Sequence, residues 1–184
     1  MEFDDSSVPI FVARQPIFDE YQTVWGYELL FRQAQDAATA NVTDEDAATS
    51  MVIADGLTLA LHGMSQDHKV LINFPGRLIL KDAPLALPKD RCVVEILETV
   101  EPSPEIVASL TKLKELGYTL ALDDFVGQSG FEPLIELADI IKVEVLDLTR
   151  HEIFELRNRL ALSGKRLLAE KVEDKETFEL TKSL

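Results

Sequence analysis

Thr119-Leu-Ala-Leu-Asp-Asp-Phe125 is a short, mostly apolar run that ends in two adjacent carboxylates. A continuous apolar run reads as a strand buried on both faces, as in a parallel sheet. Asp123 and Asp124 then stand where that strand ends. Neighbouring acids in such a place repel each other and lose hydration, and a cation, commonly a metal ion, relieves both costs. The same grammar recurs along the chain. Leu71-Ile-Asn73, Val93-Val-Glu95, Ile140-Ile-Lys142 and Leu167-Leu-Ala-Glu170 are apolar runs that each end in one polar group, and Tyr27-Glu28 follows the pattern loosely. Acids, an amide and a lysine delivered to one rim by successive strands would form a site.

The totals limit what that site can serve. The chain has 184 residues, enough for one domain with a core, and 46% of them are hydrophobic. The net charge of -15 argues against a surface for DNA or RNA, which bind basic faces, but not against a small phosphorylated ligand bridged by metal ions. Cys92 is the only cysteine, so no internal disulfide can form, which fits a reducing compartment such as the cytoplasm. Met1-Glu-Phe-Asp-Asp5 lacks the positive start and apolar run of a signal peptide, and no apolar stretch is long enough to cross a membrane.

Read in order, Pro9 to Gln15 and Val24 to Phe31 predict two strands paired as a hairpin, with a turn over Phe18 to Gln22. Thr43 and Asp46 resemble a capping box for a helix over Asp44 to Leu61 that buries Met51, Ala54, Leu57 and Leu61 and stops at Gly63. Strands follow at Lys69 to Asn73 and Cys92 to Leu97, with a short helix over Gly76 to Leu80. Ser103-Pro104-Glu105 supplies a cap, a first-turn proline and an acid at the positive end of the helix dipole. The helix it opens has the apolar stripe Ile106, Leu110, Leu113 and Leu116, and Gly117 ends it. Then come the strand Thr119 to Asp123, a helix over Phe131 to Ala138 and the strand Ile140 to Val145. A helix opened by Thr149 and Glu152 and closed by Gly164 leads to the strand Arg166 to Glu170 and a last helix capped by Asp174. Alternating strands and helices mean parallel strands with right-handed crossovers. An open doubly wound sheet gathers its polar groups at one switch point. Here nearly every strand end carries one, which favours a barrel with its site at the C-terminal rim, one strand short of eight.

These residues resemble the EAL domain, the family of cyclic di-GMP phosphodiesterases, from about Val12 to Glu173. Gln15-Pro-Ile17 looks like the family's early Gln-Pro-Ile, and Glu28-Leu-Leu-Phe-Arg32 sits where the family has Glu-Ala-Leu-Leu-Arg. Asn73 follows as the strand-end asparagine, and Glu95 with Glu98 matches Glu-x-x-Glu. Asp123-Asp124-Phe125 matches Asp-Asp-Phe, Lys142 the later lysine, and Ala169-Glu-Lys-Val-Glu173 resembles Ala-Glu-Gly-Val-Glu. The resemblance implies an α/β fold: a TIM-like (β/α) barrel with its first strand antiparallel and its final strand missing from this chain. It implies Glu28, Asn73, Glu95 and Asp123 as metal ligands, with Asp124 bridging or holding a second ion, and oxygen donors of this kind suit Mg2+ or Mn2+. Lys142 would orient or activate a water, Glu170 would serve as ligand or general base with Glu173 behind it, Arg32 would pair with a phosphate and Gln15 would bond a guanine edge.

Taken singly the residues have blander readings. Glu98, Glu101, Glu105 and Glu115 read as solvated charges, Asn73 as a turn residue, Lys142 as a snorkelling lysine and Trp25 as hairpin packing. His62, His68 and His151 are not clustered. Four departures from the family pattern stand out. Leu29 replaces alanine beside the first carboxylate, Val126-Gly-Gln-Ser-Gly-Phe131 replaces the Gly-Thr-Gly-aromatic-Ser-Ser loop, Glu144 replaces an aspartate, and the chain stops before the final strand. That loop positions the metals and joins the homodimer in active members of the family it resembles. Ala13-Arg-Gln-Pro-Ile17, Tyr27-Glu-Leu-Leu-Phe-Arg32 and Phe131-Glu-Pro-Leu-Ile-Glu-Leu-Ala-Asp139 resemble the EAL half of EAL–HDOD signalling proteins. The expectation is a single EAL-like domain over residues 1–184, the N-terminal fragment of a longer protein with a following HDOD domain as partner. Its expected role is a degenerate module of the cyclic di-GMP system. The alternatives are an active Mg- or Mn-dependent phosphodiesterase and a protein-interaction module without nucleotide.

Overall fold

The hairpin at the start of the chain is held by its turn. In the computed structural model, which describes residues 10–33, 56–58, 60–125, 129–161 and 164–183, β1 (Ile10–Phe18) pairs antiparallel with β2 (Val24–Gln33). Asp19 closes the turn between them: its Oδ1 accepts from the Tyr21 and Thr23 backbone N–H groups at 2.9 and 2.8 Å, and Gln22 takes a left-handed φ of 60°. Both strands run further than their sequences predict, because Phe18 and Gln33 continue the ladder past the expected ends.

The chain divides into two compact units, Met1–Val70 and Leu71–Leu184. Within the first, Gly26 on β2 comes close to the start of β3 (Lys69–Phe74): a Cβ at Gly26 would lie 2.7 Å from the Lys69 carbonyl oxygen. Residues 56–58 and 60–61 are helical, Leu57 and Ala60 are buried, and Gly63 ends the segment at φ 75°. Thr43, Asp46, Met51 and Ala54, expected in the first turns and stripe of this helix, lie outside the described residues.

In the second unit the strands follow one another in sheet order as in sequence: β3, β4 (Cys92–Ile96), β5 (Thr119–Leu122), β6 (Ile140–Glu144) and β7 (Arg166–Glu170). The pairs β4–β5, β5–β6 and β6–β7 are parallel. No reversal of strand order occurs in this run, so it has none of the switch points of a doubly wound sheet. The order of elements is that of a TIM-like (β/α) barrel with an antiparallel first pair and, among the described residues, seven strands instead of eight. β4 is buried along its whole length, as a strand covered on both faces must be.

The helices of the second unit, among the described residues, are α1 (Gly76–Leu80), α2 (Pro104–Glu115), α3 (Glu132–Leu137), α4 (Arg150–Ala161) and α5 (Lys175–Lys182), with a 3-10 turn over Ala83–Ala86 that the sequence reading lacks. Ser103 caps α2, its side chain accepting from the Ile106 N–H at 3.3 Å, and Ile106, Leu110 and Leu113 are buried. Leu116 does not join that stripe. It is 46% exposed, because three residues past Leu113 the helix has already ended, before Gly117 turns left-handed at φ 90°. Thr149 and Glu152 form a full capping box, and Asp174 caps α5 through the Thr177 N–H at 2.8 Å. Among the described residues no helix is long and apolar enough to cross a membrane.

The close approach at Gly26 gives a direct test. Gly26→Ala should destabilise the protein by about 1–3 kcal/mol in urea denaturation, since a methyl group there must push a backbone carbonyl aside. A loss under about 0.5 kcal/mol, the usual span of a surface change, would show that β2 and Lys69 are not held this closely.

Candidate functional site

Three hydrogen bonds beyond the regular ladders fix the ends of the strands in the second unit. Asp123 N–H donates to Ile96 O at 2.9 Å, Phe125 N–H to Lys142 O at 3.1 Å and Val145 N–H to Glu170 O at 3.2 Å. The acids that the sequence places at strand ends are therefore locked against the neighbouring strand. Their side chains meet at Lys142. Its Nζ donates to Asp123 Oδ1 and to Glu170 Oε1, both at 2.8 Å, and makes a very short contact with Glu95 Oε1. The Lys142 and Glu95 side chains are 2% and 0% exposed, and those of Asp123 and Glu170 are 13% and 20% exposed.

An ammonium has three donors, and here three carboxylates take them. Burial by itself pushes the Lys142 pKa down. The charges of Glu95 and Glu170 and the hydrogen bonds to Asp123 and Glu170 outweigh that and hold it well above the ordinary lysine value. Lys142 is thus a fixed cation. With its folded pKa raised, its contribution to stability is complete below the usual lysine range and fades only at higher pH.

The cluster continues outward through Asp124. This residue takes a left-handed φ of 41°, and its N–H donates to Asp123 Oδ1 at 3.1 Å. One carboxylate oxygen each from Glu98, Asp123 and Asp124 lie within 4.8 Å of one another. All donors here are carboxylate oxygens, the set that suits a hard divalent ion, so the residues present fit Mg2+ or Mn2+. At the far edge, Lys171 Nζ meets Glu144 Oε2 at 2.5 Å. The hydrogen bond to Glu144 raises the Lys171 pKa first, with the charges of Glu144, Asp124 and Glu170 adding to it.

The second unit thus brings together Glu95, Asp123, Lys142 and Glu170, with Asp124 alongside. Asn73 is half-buried near the end of β3, and Glu173 is exposed beyond β7. In the first unit, Glu28 lies within β2 rather than at its end and pairs with Gln15 on β1. Arg32 pairs with Phe11 along the backbone, and its side chain lies outside the described residues, as does the loop over 126–128. Leu29 is 1% exposed and, by the alternation of a strand, faces away from Glu28, so its bulk is taken up on the other side of β2. Two features escape the sequence reading. Glu98, read as a solvated charge, joins Asp123 and Asp124; its spacing from Glu95 was the available signal. Glu144 and Lys171 find each other across 27 positions with no local signal at all.

No protein-family model matches the chain. It is similar to the cyclic di-GMP phosphodiesterase CdgJ of Vibrio cholerae, with 36% identity over 179 residues, 96% of this chain and 41% of CdgJ. It is 32% identical to the uncharacterized protein YuxH of Bacillus subtilis over 174 residues, 92% of this chain and 42% of YuxH. Its structure resembles that of the Bacillus subtilis YkuI protein, which has an EAL domain and was crystallised with cyclic di-GMP and calcium: TM-score 0.72, 21% identity, 94% of this chain and 50% of YkuI. The chain folds as an EAL domain. This EAL domain spans about two-fifths of the length of the curated relatives it matches, 41% and 42%.

Lys142 is the residue whose removal should show most. Lys142→Met leaves Glu95, Asp123 and Glu170 facing one another without their cation, and breaking a buried pair in this way costs about 3–5 kcal/mol. Acidification, which protonates the stranded carboxylates, should recover part of the loss, so the variant should gain stability from pH 8 toward pH 5 relative to the parent. Equal losses across that range in chemical denaturation would contradict a buried charge cluster.

Proposed function

We propose that this EAL domain is a signalling module of the cyclic di-GMP system that binds the nucleotide with little or no turnover and acts through a partner. The observation that carries this reading is the Lys142 cluster. The carboxylates of Glu95, Asp123 and Glu170 are already neutralised in part and braced by a protein cation, so a divalent ion must compete for them. Asp123 and Asp124, with Glu95 and Asn73 from the neighbouring strands and Glu28 from β2, are the residues that would hold Mg2+ or Mn2+. When bound, such an ion would activate a water and stabilise charge on the phosphorus. Lys142 would orient that water and Glu170 would take its proton, but each must first release the other. Gln15, Arg32 and Glu173 remain the proposed contacts to the nucleotide.

Losing the positioning of reacting groups can cost about 10²-fold in rate, and the altered sequence after Asp124 and the Glu144–Lys171 pair both act on positioning. Leu29 does not, since it faces the other side of its strand. The partner we propose is an HDOD domain later in the same protein, from the likeness of Ala13–Ile17 and Phe131–Asp139 to EAL–HDOD proteins. A cytoplasmic setting suits the single, buried and reduced Cys92. An active phosphodiesterase is the second reading, and 36% identity to CdgJ favours it.

Calorimetry with cyclic di-GMP and Mn2+, run beside a turnover assay, separates the two. The proposal expects nucleotide and metal binding with hydrolysis near background, and Glu28→Ala should weaken the metal at least about tenfold while changing that background little. Robust metal-dependent hydrolysis that Glu28→Ala abolishes would make the active enzyme correct.

A further inference from the structure

The rim holds a second cation besides Lys142, and its setting is unusual. Glu144 and Glu170 are register partners on β6 and β7, so their side chains leave the same face of adjacent strands. Like charges placed directly across a ladder repel. Lys171, the residue after Glu170, turns back into that repulsion and binds Glu144 at 2.5 Å. It does so from a left-handed backbone with φ 55°, a conformation that disfavours a residue with a Cβ and that glycine would adopt freely. An unfavourable backbone at this point is therefore coupled to an ammonium delivered to the outer edge of the acidic rim, beside Glu170, which already binds Lys142 at 2.8 Å.

We propose that Lys171 is a built-in counter-ion which occupies the Glu144 side of the rim and lowers the affinity of that side for divalent cations. The inference rests on the reading that this rim binds such ions, and it assigns their weakness there to one side chain. A protein cation ion-paired to Glu144 and tethered to the strand has a high local concentration, so a metal ion entering the rim on this side meets a fixed positive charge near Asp124 and Glu170 that it must displace. Lys171 thus sets how much free Mn2+ or Mg2+ the domain needs.

The test uses the full chain and four versions of position 171: the parent, Lys171→Gly, Lys171→Met and Lys171→Arg. Lys171→Gly removes the charge and relaxes the backbone, so it should fold at least as well as the parent; Lys171→Met removes the charge and keeps the backbone constraint; Lys171→Arg keeps the charge. Titration with Mn2+ by calorimetry should give about tenfold tighter binding in Lys171→Gly and Lys171→Met, with Lys171→Arg close to the parent. Equal affinity in all four would overturn the counter-ion role while leaving the proposed function standing. Tightening in Lys171→Arg as well would overturn it too, since charge would not be the cause. Absence of Mn2+ binding in every version would overturn it together with the metal reading. Cyclic di-GMP titrated in parallel tests the proposed function on its own: a nucleotide bound by none of the four would sink that function, whatever the Mn2+ series gives for Lys171.

Discussion

A buried ammonium surrounded by three carboxylates is the constraint on which the second unit depends. Neither Lys142 nor Glu95 could be buried alone, because an unpaired ion in a water-poor interior costs several kcal/mol. Together they require that β4, β5, β6 and β7 stay in one register, since the partners come from four different strands. A slip of one residue in any of them would turn its charged side chain to the other face of the sheet. The apolar residues that share the cluster's face of these strands, Val93, Ala121 and Ile140, are themselves buried and do the reverse service: they supply the burial that makes the pairing strong. Three carboxylates against one ammonium still leave two negative charges. The cluster is stable as a protein feature and yet retains an attraction for further cations.

Much of this was legible in the sequence, for a reason that can be stated residue by residue. A strand covered on both faces is written as an apolar run, and Leu120-Ala-Leu122 and Ile140-Ile141 are such runs. A polar group at the end of such a run has no solvated face to occupy, so its presence signals a partner. That logic gave Glu95, Asp123, Lys142 and Glu170 before any geometry. It could not say who binds whom. Lys142 taken alone was equally compatible with a snorkelling side chain, and only its 2% exposure and its partners 47 and 19 residues away remove that option. Glu98 was harder, because an acid in an exposed loop looks the same in sequence whether or not two aspartates lie beside it. Leu116 failed for a different reason: periodicity extends a stripe indefinitely, whereas the helix had already ended.

The first unit shows how alternation along one strand separates two roles that the sequence places side by side. Glu28 and Leu29 are adjacent, and the comparison with the family pattern sets the larger Leu29 beside the first carboxylate. Strand geometry sends the two side chains to opposite faces, so Leu29 is buried at 1% exposure while Glu28 shares its face with Gln15 across the hairpin. The substitution is therefore a matter of packing, and arguments about catalysis have to rest on other residues.

The acidic character of the chain divides into two physically different uses. Glu152 and Asp174 stand at helix N-termini, where hydrogen bonds from Thr149 and from the Thr177 N–H hold their carboxyls below the usual range. These groups are solvated. Their support is present above the ordinary carboxylate pKa and is lost as pH falls through the lowered values, and salt weakens it further. The carboxylates around Lys142 are different in kind, because Glu95 is fully buried and Asp123 and Glu170 are mostly so, which leaves water little room to screen or replace the cation. A net charge of -15 does not distinguish the two populations. What distinguishes them is which acids face another strand and which face water, and that is decided by the parallel register of β4 to β7. The rim is thus a place where solvent relieves only part of the charge and the rest is relieved by a lysine or by an added ion. The balance between those two, more than the number of acids present, determines what this domain can bind.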